Sequence, residues 1–491
     1  MDQRDFLARL RDVGQLQVVD QEVDWDLQAG ALSSMSNRLG GPALHLTNVK
    51  GYRGASLAGG LFTGPANLHF KPEKPWSRQA VALELDPTTG YEDFMGQLLE
   101  RSMNTIPPMQ VTSGPCKENI LLEDQADITK LPIPFLHQGD GGRYGTCSTI
   151  IVKEPRSGMQ SWTHARWMVV DGKTLAVSIP PMKALGPLLQ GYAAAGKPMP
   201  FCIVLGGDPA GLIASAAIVM PGASEVDLAG GLKRDSMALV RAETNDLLVP
   251  SDAEVIIEGE VRPGDRATEG PFPEWVRRSK PAPQPAFRIK AITYRNNPII
   301  PFSAEGGKYS DTLSLTSTLV SLGIRGALAG MGYPVRWVNC PVETVMALCI
   351  VSLKMMRSGW ANNISCALFA LPFGKWFDKV IVLEDDVEAI DWPQIMKDWS
   401  QKLYPWRGVN FTTGSPSFLV DYSNSDAKND PVATKVFFDA TIPYWWDKGW
   451  VPKRVSFETS YPPEIQQRVI ERWKEMGLPG EAPVKKKYQS V

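Results

Sequence analysis

From about residue 117 to 310 the chain is a succession of short runs rich in β-branched and aromatic residues, and this texture limits the available folds more than any other feature. Thr149-Ile150-Ile151-Val152, Trp167-Met168-Val169-Val170, Leu175-Ala176-Val177-Ser178-Ile179 and Glu254-Val255-Ile256-Ile257-Glu258 read as strands, with turns at Ser157-Gly158 and Asp171-Gly172. Residues 287–294 alternate with period two, as a half-buried antiparallel strand does, and stop at Asn296-Asn297-Pro298. Many short strands at this spacing predict a barrel or a sandwich, here with one inserted helix over 184–195.

Helical patterns flank this region. Residues 2–13 carry Phe6, Leu7, Leu10 and Val13 near helical spacing, and Ala43-Leu44-His45-Leu46 is a strand leading to the turn Val49-Lys50-Gly51-Tyr52. The first 110 residues therefore read as a small α/β unit, ended by Ile106-Pro107-Pro108 and Ser113-Gly114-Pro115. Beyond 312 helices return, first over 313–327, while 345–354 reads as strand or helix. Lys379-Val380-Ile381-Val382-Leu383 has the continuous apolar run of a fully buried strand. It ends in Glu384-Asp385-Asp386, which reads either as a metal-binding cluster or as capping ahead of the helix opened by Trp392-Pro393. Residues 462–476 form an amphipathic helix with Ile465, Val469 and Trp473 on one stripe, suited to docking on a second subunit, and Lys485-Lys486-Lys487 is a solvated tail. The predicted class is α/β (α+β, multi-domain), divided at 1–110, 111–310, 311–460 and 461–491.

Several function classes are disfavoured. A formal net charge of −2 offers no basic face for nucleic acid. No apolar run reaches the roughly 18 residues of a membrane span. The opening Met1-Asp2-Gln3-Arg4-Asp5-Phe6 lacks the pattern of a signal peptide, so the cytoplasm is the expected compartment. Six cysteines without CxxC and four histidines (His45, His69, His137, His164) without HxxxH argue against a zinc knuckle, a redox pair or a multi-histidine metal site.

The stretch Thr268-Glu269-Gly270-Pro271-Phe272-Pro273-Glu274 sets two carboxylates five residues apart around a Gly-Pro turn. Two acids in different environments can divide into a proton donor and an ionised base. The spacing alone equally fits two acids on a solvated loop.

Leu131-Pro132-Ile133-Pro134, Asp140-Gly141-Gly142-Arg143-Tyr144, Trp162-Thr163-His164-Ala165-Arg166, Gly206-Gly207-Asp208-Pro209, Arg241-Ala242-Glu243-Thr244-Asn245-Asp246 and Glu269-Gly270-Pro271-Phe272-Pro273-Glu274 together resemble the UbiD-like decarboxylase family. Collinear likeness covers most of 5–475. The resemblance implies an N-terminal α/β part, a split-barrel flavin-binding domain and a C-terminal α/β part with a dimerising terminal helix. It implies reversible, non-oxidative decarboxylation of an aromatic, heteroaromatic or α,β-unsaturated acid, free or as a CoA thioester, with prenylated FMN. It also implies a homodimer or higher homo-oligomer. The family's Glu-Arg-Glu set falls on Glu269, Arg166 and Glu274: Glu274 as proton donor, Arg166 binding carboxylate and cofactor, Glu269 holding Arg166. Ser161, Thr163, His164, Ala165, Arg166, Lys183 and Ser215 fall along the cofactor. The chemistry suits these types, because carbon dioxide leaving an sp2 carbon needs an electron sink, and a guanidinium binds carboxylates through a planar fork.

The family's divalent metal, held by Asn, His and Glu, has no matching donors: Ser161 stands at the Asn position, Ala184 or Lys183 at the His position, and Ala238 at the Glu position. Such residues do not hold a hard cation. The family's phosphate-contacting lysine also lacks a clear match, with Lys375 out of register and Pro372 closer to that place. Two readings follow: the Lys183 ammonium contacts the phosphate directly, or the chain is a cofactor-poor or non-catalytic subunit of a multi-component carboxylase. Arg277 and Arg278 either meet a second anionic group of the substrate or form a solvated basic pair. Trp162, Trp167, Trp445 and Trp446 either line an aromatic pocket or belong to the core.

Overall fold

The computed structural model describes residues 1–64, 74–179, 183–219, 222–275, 277–307, 309–416 and 432–478; His69, residues 180–182 and the Lys485-Lys486-Lys487 tail lie outside this set. Helix α1 (Gln3–Asp12) begins with a reciprocal cap, Asp2 accepting from the Asp5 N–H and Asp5 from the Asp2 N–H, and turns Phe6, Leu7 and Leu10 inward. Strand β1 (Leu16–Val19), helix α2 (Gln28–Arg38), strands β2 (Ala43–Leu46) and β3 (Ser56–Gly59), and helices α3 (Ser77–Ala82) and α4 (Tyr91–Met103) complete the N-terminal unit. All six cysteines are unpaired, and five of them are buried.

The central strands are β4 (Met109–Gln110), β5 (Asn119–Leu122), β6 (Tyr144–Gly145), β7 (Ser148–Lys153), β8 (Gln160–His164), β9 (Trp167–Asp171) and β10 (Thr174–Val177). After α5 (Leu185–Ala194) come β11 (Met199–Leu205), α6 (Pro209–Ala216), α7 (Glu225–Lys233), β12 (Ala238–Arg241), β13 (Leu248–Pro250), β14 (Val255–Glu269), β15 (Ala282–Tyr294) and β16 (Ile299–Phe302). One antiparallel sheet runs β6-β9-β10-β15-β14-β11-β7-β8, with β5 also paired to β15. Strand β8 lies at one edge and β9 next to the other, yet only Ala165 and Arg166 separate them in sequence. Three Cα steps reach roughly 11 Å at most, so the sheet must curl until its edges nearly meet. Thr146 and Cys147 make the same short crossing from β6 to β7. Among the described residues no ladder joins β8 to β6, which leaves a curled open sheet rather than a closed barrel.

Two departures from the sequence reading concern boundaries. The run predicted over 175–179 ends its ladder at Val177. Strand β16 leaves the 111–310 unit and pairs parallel with β3, giving the N-terminal sheet β1-β2-β3-β16. An apolar run states that a strand exists but not which sheet will take it.

The C-terminal unit opens with α8 (Asp311–Gly330), followed by β17 (Val335–Asn339), β18 (Leu348–Leu353), α9 (Trp360–Ala370), β19 (Lys379–Glu384), α10 (Trp392–Lys402), α11 (Pro405–Gly408), β20 (Val409–Pro416) and β21 (Val432–Ala440). Its sheet runs β17-β18-β19-β21-β20, with β19 parallel to both neighbours and Val380, Ile381, Val382 and Leu383 buried. Residues 345–354 thus contain a strand. Helix α8 corrects the expectation of no span-length apolar segment: by length and composition it could cross a membrane, although half of its apolar window is buried inside the protein. Glu384, Asp386 and Asp398 are neutralised by Lys402 and Arg454, with Arg454 2.6 Å from Asp386 and 2.8 Å from Asp398. The acidic cluster is therefore an ion-pair network, and Asp391 caps α10. Lys375 and Pro372 share one short turn ahead of β19. The chain closes with α12 (Phe457–Ser460) and α13 (Pro463–Glu471), and no residue of α13 is buried.

Candidate functional site

Arg166 stands where the chain crosses between the two edges of the curled sheet. Glu269 is the last residue of β14, and residues 270–281 turn the chain back into β15, where Ala282 pairs with Glu269. The turn is tight: Gly270 adopts φ +91°, a conformation that disfavours any side chain. The Phe272 N–H donates to Ser279 Oγ (3.0 Å), the Ser279 N–H to the Phe272 carbonyl (2.8 Å), and the Glu274 N–H to the Arg277 carbonyl (2.7 Å).

This geometry brings the three sequence-predicted groups together. Arg166 donates through Nε to Glu269 Oε1 (3.0 Å), through Nη2 to Glu269 Oε2 (3.4 Å), and through Nη1 to Glu274 Oε1 (3.2 Å). The fork to Glu269 fixes the guanidinium plane, and the remaining edge faces Glu274. The two acids differ in setting, since Glu269 is 3% exposed and Glu274 is 37% exposed. Burial lowers the Arg166 pKa, but the two carboxylates more than offset this and hold it above the ordinary value.

Two supports escaped the sequence reading. The Tyr144 hydroxyl donates to Glu269 Oε1 (3.0 Å) and accepts from the Gly270 N–H (3.1 Å). Burial and the Glu269 charge push its pKa above the ordinary phenol value, so it stays a donor. The Phe272 ring is buried against Tyr144, centroids 4.2 Å apart, and lies 5.1 Å from the Arg166 guanidinium carbon. Outside this pair, Gly141 donates to the Pro271 carbonyl at 2.8 Å, and a Cβ on Gly141 would fall 2.2 Å from the Gly270 oxygen. Asp140 binds Arg278 (3.1 Å) and His137 (3.0 Å). The Asp140-Gly141-Gly142 motif entered the sequence reading only as part of the family likeness, which did not disclose the clamp that it forms.

Of the basic pair, Arg278 is used in that clamp, whereas Arg277 is half exposed with Nε 3.8 Å from Glu274 Oε2. Trp275 donates to Thr312 Oγ1 (3.3 Å) and packs at a 45° tilt against Trp376, tying the acid-bearing turn to the C-terminal unit. Trp162 and Trp167 are fully buried while Trp445 and Trp446 are exposed, so the four tryptophans do not line one pocket.

A second cluster lies along β8 and the helices packed on it. The buried Thr163 hydroxyl has no hydrogen-bond partner among the described residues, whereas the Ser161 hydroxyl serves the Glu225 carboxylate. Leaving such a group unmet costs about 1–3 kcal/mol, as expected of an atom that waits for a polar ligand. His164 Nδ1 donates to the Ser148 carbonyl (2.9 Å), and burial, with Lys183 adding to it, pushes its pKa down to about 4; the imidazole is neutral. Ala165 is buried at the crossing, and Ser215 is fully buried with its hydroxyl against Thr149 (3.0 Å) and the Leu212 carbonyl (2.8 Å). Lys183 Nζ donates to the carbonyls of Ser215 (2.8 Å) and Ala217. These groups suit an anionic, hydrogen-bonding ligand such as a flavin phosphate.

They do not suit a divalent metal. Ala184 is the N-cap residue before α5, and Ala238 lies in β12, paired with Met109, where its carbonyl accepts from the Ser251 N–H. The acid that reaches this side is Glu225, whose Oε2 accepts from the Trp162 N–H (3.2 Å), and burial raises its pKa. Glu225 was not singled out in the sequence, and Ala238, the residue that was, carries no side-chain donor and lies in a different sheet. Ser224-Glu225 reads locally as an ordinary N-cap and first-turn acid, so nothing nearby announced its burial. Among the described residues no group of three or more His, Cys, Asp or Glu could hold a metal.

Comparison with known proteins agrees with this layout. Three family models match in chain order: the 3-octaprenyl-4-hydroxybenzoate carboxy-lyase N-terminal domain over 7–98, its Rift-related domain over 109–309 and its C-terminal domain over 314–440. The chain is 29% identical to pyrrole-2-carboxylic acid decarboxylase of Pseudomonas aeruginosa, covering 97% of this chain and 98% of the relative. It is 32% identical to ferulic acid decarboxylase 1 of Candida dubliniensis, covering 96% and 97%. Among solved structures, the UbiD-class enzyme HmfF of Pelotomaculum thermopropionicum in complex with FMN superposes with TM-score 0.82 at 26% identity, covering 95% of this chain and 98% of that one. The open form of vanillic acid decarboxylase from Sedimentibacter hydroxybenzoicus gives 0.83 at 26%, covering 97% and 98%.

Proposed function

The chain belongs to the UbiD family of carboxy-lyases, and from that premise we propose that it removes carbon dioxide from an aromatic, heteroaromatic or α,β-unsaturated carboxylic acid, with prenylated FMN as cofactor. The observation that carries this reading is Arg166 braced between a buried carboxylate and an accessible one. Prenylated FMN supplies, when bound, the electron sink that the leaving group requires. Glu269 and Tyr144 hold the guanidinium in one plane, so its Nη1 edge can receive the substrate carboxylate. Glu274, in protonated form, delivers its proton to the carbon that has lost carbon dioxide and recovers one from solvent through its exposed side. Phe272 and the clamp through Asp140 and Gly141 keep the acid within reach of that carbon.

The test is co-production with a flavin prenyltransferase, followed by carbon dioxide release from pyrrole-2-carboxylate, ferulate, vanillate and a dicarboxylate that would engage Arg277. Release from at least one acid is expected, together with deuterium uptake into its product in heavy water. A flavin-loaded protein inert in both assays across the panel would refute the activity.

We also propose that the protein works as a homodimer. Ile465 and Val469 on α13, which ends at Glu471 and so stops short of Trp473, are not buried, and Tyr404, Trp406, Phe411, Tyr444, Trp445 and Trp450 are exposed, Trp406 at 90%. Apolar surface of this extent usually marks an interface. Light scattering on the native protein is expected to give twice the chain mass. The double variant Trp406→Ser/Trp445→Ser is expected to dissociate at least tenfold more readily, a loss of about 1.4 kcal/mol or more. A native monomer at micromolar concentration would remove the proposal.

A further inference from the structure

This inference rests on the flavin reading above and concerns how the phosphate end of that cofactor is held. Lys183 leads into α5, and its ammonium sits on the carbonyls of Ser215 and Ala217 at the C-terminal end of α6. Helix C-termini concentrate unpaired carbonyls and partial negative charge, which makes them seats for cations. Here the seat is filled by a cation covalently part of the chain. An ammonium has three N–H donors; two serve these carbonyls and the third can serve an anion.

Glu225, in the first turn of α7, is near enough for its charge to oppose the burial that pushes the Lys183 pKa down to about 8. Its Oε2 is engaged by the Trp162 backbone, so it acts as counter-ion and scaffold. The neutral His164 also senses the Lys183 charge, and β8, which carries His164, also carries the unpartnered Thr163 hydroxyl and the Ser161 hydroxyl that serves Glu225. A hard divalent cation needs several oxygen ligands and would enter against a fixed positive charge. A phosphate would find the Lys183 ammonium and the Thr163 hydroxyl.

We propose that this chain holds the cofactor phosphate without a divalent metal, the Lys183 ammonium supplying from the protein the positive charge that a bound ion would otherwise bring. A lysine serves phosphate as a point charge, and a chelator cannot remove it.

The experiment is fluorescence titration of the flavin-free full chain with FMN, in excess EDTA and in excess Mn2+. The two affinities are expected to agree within about twofold, while Lys183→Met weakens binding about tenfold or more and Lys183→Arg retains most of it. Lys183→His, which sets an imidazole beside Glu225, is expected to make FMN binding depend on Mn2+. Native binding that falls tenfold in EDTA and returns with Mn2+ would overturn the proposal and leave the flavin reading standing. Native affinity in a folded Lys183→Met variant would overturn it as well. Failure to bind FMN in either condition would overturn both, so the two claims fail separately.

Discussion

Glu274→Gln is expected to lower decarboxylation about 10²- to 10⁴-fold while flavin content and thermal midpoint stay at native values. The glutamine amide keeps the size of the side chain and an oxygen that accepts from Arg166 Nη1, so the guanidinium is not released. What it removes is the proton destined for carbon. The stability side follows from exposure: Glu274 is more than a third exposed, and Arg166 retains its fork to Glu269 when this partner changes. Surface-facing pairs of this kind contribute about 0–1 kcal/mol. Turnover, flavin absorbance and melting on one preparation separate the two effects. Native turnover in the Gln variant would assign the proton to another group. Glu274→Asp, which keeps the acid but shortens its reach, should fall between.

Arg166→Ala should damage both activity and stability. Glu269 is buried, and its two oxygens face Arg166, with Tyr144 as the further donor. Removing the guanidinium leaves that carboxylate in a low-dielectric setting with one neutral hydrogen bond, a change that typically destabilises by about 3–5 kcal/mol. The cation–π contact to Phe272 is lost with it. Substrate carboxylate and cofactor both lose their cationic partner, so carbon dioxide release should fall below detection. Arg166→Ala/Glu269→Gln tests the cause, because a neutral amide removes the stranded charge: stability should recover in large part and activity should not. Equal melting of the single and double variants would contradict this account. Arg166→Lys should remain folded yet lose most turnover, since an ammonium cannot reproduce the fork.

How far these groups could be read from the chain depended on how local their signals were. Helix α1 announced itself through the spacing of Phe6, Leu7, Leu10 and Val13, and β19 through its unbroken apolar run, because both signals lie within one element. The curl of the central sheet was not legible, since it follows from pairing order and from the brevity of the Ala165-Arg166 crossing. The Glu269/Glu274 spacing fitted a solvated loop as well as a site; only the family likeness joined those acids to Arg166, 103 residues away from Glu269. Tyr144 and Glu225 were passed over because a buried hydrogen bond across such separations leaves no periodic trace. Lys183 and Ser215 meet at the end of α6, whereas Ala238 lies in β12, paired with Met109 in another sheet.

The exchange of β16 into the N-terminal sheet bears on how the protein is made. Strand β3 is an outer strand of that sheet until Ser56 meets Ile299, and residues 57–59 wait likewise for Ile300, Pro301 and Phe302. A ribosome adds 5–20 residues per second, so roughly 10–50 s pass between synthesis of the two partners. Throughout that interval the nascent chain presents an unpaired edge, the geometry that recruits stray strands. Truncation products ending before residue 299 should therefore be aggregation-prone, and the leading third of this polypeptide completes its sheet only when the second third has emerged.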